Sequence, residues 1–162
     1  MDEEFLESGG TRMNLPGKWL DRDPYRYVMR VFMTKWKPMI LTAISFDHGT
    51  TRYTQFKKGL PISEKVLTEN LRELEADGLI NRTVYAEIPS RVEYTLTESG
   101  ESVVQLLFQI YDWGYAEMER RGLPIDRRGA MFHGHIEPDP AIMQITMREY
   151  LELMDEERNA ED

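Results

Sequence analysis

Cysteine is missing from all 162 residues. Its absence removes disulfides, thiolate metal sites, cysteine nucleophiles and thiol-based redox sensing together. Long apolar runs are missing too, since no uninterrupted stretch approaches the ~20 residues that a membrane-spanning helix needs. The N-terminus, Met1-Asp2-Glu3-Glu4, is acidic where a signal peptide carries positive charge ahead of an apolar segment. The expectation is a cytoplasmic protein with no membrane partner. There is no P-loop, no G-x-G-x-x-G and no serine in a G-x-S-x-G setting. Nucleophilic catalysis has no basis, so the chain is expected to be neither an enzyme nor the carrier of a cofactor.

What is present suits one folded unit with at most a tail. Hydrophobic residues make up 41% and charged residues 30% of the chain, enough for a core and too apolar for wholesale disorder. The net charge of −9 argues against a nucleic-acid binder only until it is divided along the chain. Residues 35–96 are net +1, and the acidic excess sits in residues 97–162. A local basic patch works under an acidic total.

The order of elements is legible from periodicity and breakers. Residues 1–22, with Gly9-Gly10 and Pro16-Gly17, read as a flexible N-terminal arm. Tyr25, Val28, Met29 and Phe32 recur at helical spacing. A second helix runs from Trp36 to Phe46, with Trp36, Met39, Ile40, Ala43 and Ile44 on one side and Pro38 tolerated in its first turn. His48-Gly49-Thr50 breaks it. A short polar helix over about Tyr53 to Lys58 ends at Gly59 and a Leu60-Pro61 turn. The clearest helix spans Ser63 to Asp77, with Ser63 as N-cap, Gly78 as its exit, and Leu67, Leu71 and Leu74 inward. Two strands follow, Ile80 to Tyr85 and Arg91 to Leu96, the second alternating with Val92, Tyr94 and Leu96 inward and Glu93 and Thr95 outward. Thr97 caps a long helix reaching about Arg121. After a linker containing Asp126-Arg127-Arg128-Gly129, a last amphipathic helix is expected from Pro140 to about Glu157.

This is the outline of a winged helix-turn-helix: a mainly α fold with a small β-hairpin (α+β) and a long C-terminal dimerisation helix. The expected domains are the arm (1–22), a DNA-binding and dimerisation domain (23–121) and an acidic C-terminal extension (122–162). At about 100° per residue, the face of the Ser63 helix opposite its leucines carries Lys65, Thr68, Glu69, Arg72 and Ala76. Lysine and arginine reach guanine O6 and N7 or a phosphate, threonine meets a thymine methyl, and glutamate accepts from cytosine N4. The plainer alternative is a solvated face held by Lys65–Glu69 and Glu69–Arg72 pairs. Around the helix, Arg52, Lys57, Lys58, Arg82 and Arg91 are candidate phosphate contacts, which set position rather than sequence, and Ser63 at the helix start is a further candidate DNA-binding residue.

The motifs Lys35-Trp36, Met39-Ile40-Leu41, Arg52-Tyr53 and Ile62-Ser63-Glu64-Lys65-Val66-Leu67-Thr68, then Leu71 through Leu79, Arg82-Thr83-Val84-Tyr85, Arg91 through Thr97 and Trp113-Gly114, resemble successive signatures of HxlR-type transcriptional regulators. The resemblance covers roughly residues 24–114. It implies a winged helix-turn-helix homodimer that binds double-stranded operator DNA and represses or activates nearby genes. Ser63 to Asp77 would be the recognition helix and the hairpin around Glu87 the wing, and the first and long C-terminal helices would pair the protomers. Three departures stand out. Asp23-Pro24 replaces the family's Cys-Pro, the Leu60-Pro61 turn is one residue shorter, and Glu69-Asn70 stands where Gln-Arg is usual.

For the dimer interface the expected residues are Tyr25, Val28, Phe32, Val104, Leu107, Tyr111 and Trp113. With thiols absent, a signal has to arrive as a small-molecule effector or through dimer concentration. The expected effector site is an apolar cleft between the long helix near Tyr111 and Trp113 and the first helix near Tyr25 and Phe32. His133-Gly134-His135 with Glu137 and Asp139 has residue types that ligate zinc, but the spacing is non-specific and no metal is expected. The alternative functions are a winged-helix protein-interaction module that no longer binds DNA and, more remotely, a metal-dependent enzyme.

Overall fold

A computed structural model describes residues 23–145 together with Glu149, Leu153 and Glu156. The arm expected over residues 1–22 lies outside the described residues, and so does the expected last helix beyond Ile145 apart from those three positions. The chain divides into two compact units, residues 1–34 and 35–162, each described by itself.

In the first unit, helix α1 spans Pro24–Phe32. Asp23 caps it, accepting a hydrogen bond from the Tyr25 amide at 3.1 Å. Pro24 occupies the first turn, where its missing N–H costs nothing.

The second unit starts with helix α2 (Lys37–Phe46). Its buried stripe is Lys37, Ile40, Leu41 and Ile44, at i, i+3, i+4 and i+7. That is a rotation from the side expected from sequence. Trp36, Met39 and Ala43 are only half-buried, and a lysine takes a core position. His48 and Gly49 turn the chain at positive φ (57° and 83°), leading into a short strand, β1 (Thr50–Arg52), that the sequence pattern had not signalled. Helix α3 (Tyr53–Gly59) and helix α4 (Glu64–Ala76) follow, separated by Leu60 to Ser63. The Ser63 hydroxyl accepts from the Val66 amide at 3.4 Å, and Gly78 leaves α4 at φ 71°. Leu67, Leu71 and Leu74 are buried, each contributing about 1.5–3 kcal/mol to seating α4.

Strands β2 (Ile80–Tyr85) and β3 (Arg91–Leu96) have the bounds read from sequence. The sheet is antiparallel in the order β1-β3-β2. Because β3 is central, its two faces are less distinct than its alternation suggested: Tyr94 alone is buried, and the other five residues are half-buried. Helix α5 (Glu98–Arg120) is capped by Thr97, whose hydroxyl accepts from the Gly100 amide at 3.0 Å.

The segment expected to be linker contains helix α6 (Arg127–Phe132), capped by Asp126 through the Gly129 amide at 2.7 Å. Ala130 and Met131 are buried. The chain then lies along α5 through two stacked ring pairs, Tyr111 on His133 (centroids 3.6 Å apart) and Tyr115 on His135 (4.0 Å). Gly129 permits the close approach, since a Cβ there would lie 2.8 Å from the Tyr111 hydroxyl. A short helix, α7 (Pro140–Met143), ends the described run of elements. No helix among the described residues is long and apolar enough to cross a membrane.

Candidate nucleic-acid interface

Helices α3 and α4 form the two-helix unit. Lys65, Glu69 and Arg72 are exposed on α4. The Lys65–Glu69 and Glu69–Arg72 pairs of the plainer alternative do not form, and Lys65 and Arg72 have no ion pair among the described residues. Thr68 is half-buried, its hydroxyl 3.2 Å from that of Tyr53 on α3. Ser63 serves as the helix cap.

Strand register separates the candidate arginines. Arg82 pairs with Tyr94, and Arg91 with Tyr85, so Arg82 shares the sheet face of Tyr94 and Arg91 takes the other face. On its face, Arg91 donates to Glu93 at 2.6 Å and Glu87 at 3.0 Å, and lies over the Tyr85 ring at 3.9 Å. Arg52 also reaches Glu93, at 3.3 Å. The hydrogen bond that Arg91 donates to Glu87 raises the arginine pKa above its ordinary value. Lys57 is paired with Glu64, whose hydrogen bond raises the lysine pKa. Arg52, Lys57 and Arg91 are thus held by carboxylates of the chain itself. Lys58, Lys65, Arg72 and Arg82 form no such pair among the described residues.

Arg82 and Arg72 meet across a cavity of about 440 Å³ between α4 and the sheet. Tyr53, Thr68 and Glu75 complete its polar rim, and Leu71, Val92 and Tyr94 its apolar floor. Tyr53 was not among the residues expected from sequence. Its role follows from the short β1, which fixes where α3 begins.

The residues expected at a dimer interface divide in the same way. Val104 and Leu107 are buried within the chain, on the side of α5 that packs on its own core. Tyr111 is half-buried beneath His133. Trp113 is 71% exposed and continues a row with Leu106 (47%) and Ile110 (54%), a stripe at i, i+4 and i+7. On α1, Tyr25 is exposed and Val28 and Phe32 are half-buried. Of the histidine cluster, His135 Nε2 lies 2.9 Å from Asp112 Oδ1. Burial lowers the His133 pKa, a shift opposed by Asp112 and reinforced by His135.

The profile of the HxlR-like helix-turn-helix family matches residues 31–122. The chain belongs to this family. Among its relatives, an uncharacterised HTH-type transcriptional regulator of Methanothermobacter thermautotrophicus is 46% identical over 81 residues, a match covering 49% of this chain and 60% of the relative's length. The HTH-type transcriptional regulator YtcD of Bacillus subtilis is 43% identical over 93 residues, covering 57% of this chain and 72% of YtcD. The crystal structure of ytcD superposes with a TM-score of 0.55 at 40% identity, covering 60% of this chain and 98% of that one. The oxidised form of the redox regulator HypR matches with a TM-score of 0.52 at 36% identity, covering 58% of this chain and 96% of that one. The extension after residue 122, including α6 and both stacked histidines, falls outside the family match.

Proposed function

We propose that this HxlR-like chain is a sequence-specific transcriptional regulator that binds operator DNA as a homodimer, with α4 in the major groove. The observation that carries this reading is the segregation of cations. Lys65 and Arg72 on α4, Arg82 on the wing and Lys58 at the end of α3 have no carboxylate partner among the described residues, whereas Arg52, Lys57 and Arg91 do. In the proposal, Lys65 and Arg72 reach guanine edges and Glu69 accepts from a cytosine amino group. Lys58 and Arg82 hold phosphates and set the register of α4 in the groove. A second copy covers the Leu106, Ile110 and Trp113 stripe, and Tyr25, Val28 and Phe32 of α1 are further candidate contacts with it. Two recognition helices would then stand one DNA turn apart, roughly 34–36 Å.

The test is salt-titrated binding to the DNA upstream of the protein's own gene and to a shuffled duplex. Log affinity should fall linearly with log salt, and Lys58→Ala or Arg82→Ala should each make the slope shallower by about one unit. Arg72→Ala should weaken operator binding by about 1–3 kcal/mol and relax preference at one position. If the wild-type protein binds both duplexes weakly and independently of salt, the DNA reading fails and a protein-interaction module takes its place.

A further inference from the structure

Lys37 is the most deeply buried charged residue among those described, 3% exposed, and it stands on the apolar stripe of α2 between the contacts of Ile40, Leu41 and Ile44. Nothing local favours it there. A cation in the first turn opposes the dipole of its own helix, and removing an ammonium from water is costly unless it is paired. What it reaches explains its position. Its Nζ lies 2.8 Å from Glu73 Oε2 and 3.7 Å from Asp77 Oδ2. Glu73 and Asp77 are one turn apart at the C-terminal end of α4, where the helix dipole also favours a positive charge.

The buried leucines of α4 hold the helix against the core, but apolar contact is non-directional. It resists lifting the helix more than turning it about its axis. A charge-assisted hydrogen bond is short and directional, and the 2.8 Å bond to Glu73 is of this kind. The longer ion pair to Asp77, at 3.7 Å, adds attraction on the same edge of the helix, so the ammonium resists rotation chiefly through Glu73. Glu73 adjoins Arg72 in the chain, and lies one turn beyond Glu69. A small rotation at Glu73 therefore displaces the whole outward row of Lys65, Glu69 and Arg72.

We propose that Lys37 is a positioning residue for sequence discrimination: it touches no DNA, and it sets the rotation of α4 through Glu73 and Asp77. This inference rests on the DNA-binding reading above.

The probe is the duplex that the wild-type protein selects from a random-sequence pool, compared with a shuffled duplex of the same composition. The variant is Lys37→Met with Glu73→Gln and Asp77→Asn in the same chain, which removes the cation without leaving a buried carboxylate unpaired. Because Glu73 is exposed, the single variant Glu73→Gln serves if the triple variant fails to fold. Affinities are normalised to the active fraction. The preference for the selected duplex should drop roughly tenfold in the triple variant, comparable to one base pair's worth of readout, and by a smaller but measurable factor in Glu73→Gln. Affinity for the shuffled duplex and the salt slope should stay as in the wild type.

A merely structural role would lower both affinities together before normalisation and neither after it. Wild-type preference in a folded variant overturns the inference, and so does a salt slope shallower by about one unit, which would put Lys37 itself on a phosphate. Failure of the wild-type protein to select any duplex overturns the DNA reading first, and is seen before any variant is made.

Discussion

Gly100 allows the end of α4, the hairpin and α5 to meet, and replacing it with alanine should be destabilising despite the better helix former. In the first turn of α5, Gly100 is buried against the chain where it leaves α4. A Cβ built on it would lie 2.0 Å from the Leu79 carbonyl oxygen, 3.1 Å from its carbon and 3.3 Å from Leu96 Cδ2. The oxygen is backbone and already accepts from the Thr97 amide at 3.1 Å, while the Thr97 hydroxyl donates to the Gly78 carbonyl at 2.7 Å. Relief therefore requires moving α5 or the Gly78–Leu79 segment and stretching these bonds. Alanine gains about 1 kcal/mol of helix propensity. Overpacking costs about 1–3 kcal/mol, and each weakened hydrogen bond up to about 1 kcal/mol more. The clash wins, and the net loss should be about 1–3 kcal/mol, or roughly 3–10 °C in melting temperature for a domain of this size. Gly114→Ala on the same helix is the control, with nothing within 4 Å of its Cβ position. It should gain up to about 1 kcal/mol. Thermal unfolding of both variants by circular dichroism, at matched protein concentration, decides the matter. A Gly100→Ala protein as stable as the wild type would refute the packing argument.

Brief diamide treatment should leave operator affinity unchanged in a gel-shift titration, because none of the 162 residues is a cysteine and no disulfide or sulfenic acid can form; a rapid, reductant-reversible change would contradict this. Acid should loosen the extension on α5 through His133. Burial holds its folded pKa below the ordinary value of 6.5, so the unfolded chain takes up a proton more readily. The stability this histidine supports is present above its ordinary pKa and is lost as pH falls below it. The wild type should therefore lose more melting temperature than His133→Phe between about pH 7.5 and pH 5.5, since phenylalanine keeps a ring on Tyr111 but cannot titrate. Equal losses would show that His133 is not the group responsible.

The parts legible in sequence are those written in local pattern. Ser63 and Gly78 bracket α4 because capping is a property of a few neighbouring residues, and its leucines mark the inner face. The hairpin bounds follow from alternation and from the Ile88-Pro89 break. Strand β1 was illegible because three residues are too few to show a period, and its pairing with β3 joins Thr51 to Tyr94 across the chain. Helix α6 was hidden because Asp126, its cap, introduces two arginines and a glycine, a composition that reads as linker.

The position of Lys37 at i relative to Ile40, Leu41 and Ile44 carries the helical spacing of the core, but lysine is ordinarily solvated, so spacing alone does not place it inside. The carboxylates that hold Arg52, Lys57 and Arg91 were harder to anticipate. Glu93 serves two arginines only because the sheet register brings Arg52 opposite it. The candidate cations could be listed from sequence, but which of them remain unpaired is a tertiary fact.

The absence of cysteine makes the central claim directly measurable. A single Glu69→Cys substitution places one thiol on the exposed face of α4, to which an iron–EDTA reagent can be attached for local cleavage of bound DNA. On the selected duplex, the labelled protein should cut at two clusters centred in the major groove and about one helical turn, roughly 34–36 Å, apart. The same reagent on Gln109→Cys, exposed on α5, should give neither cluster. Cleavage from position 69 that is absent, spread evenly along the duplex, or matched by position 109 would contradict the placement of α4 in the groove.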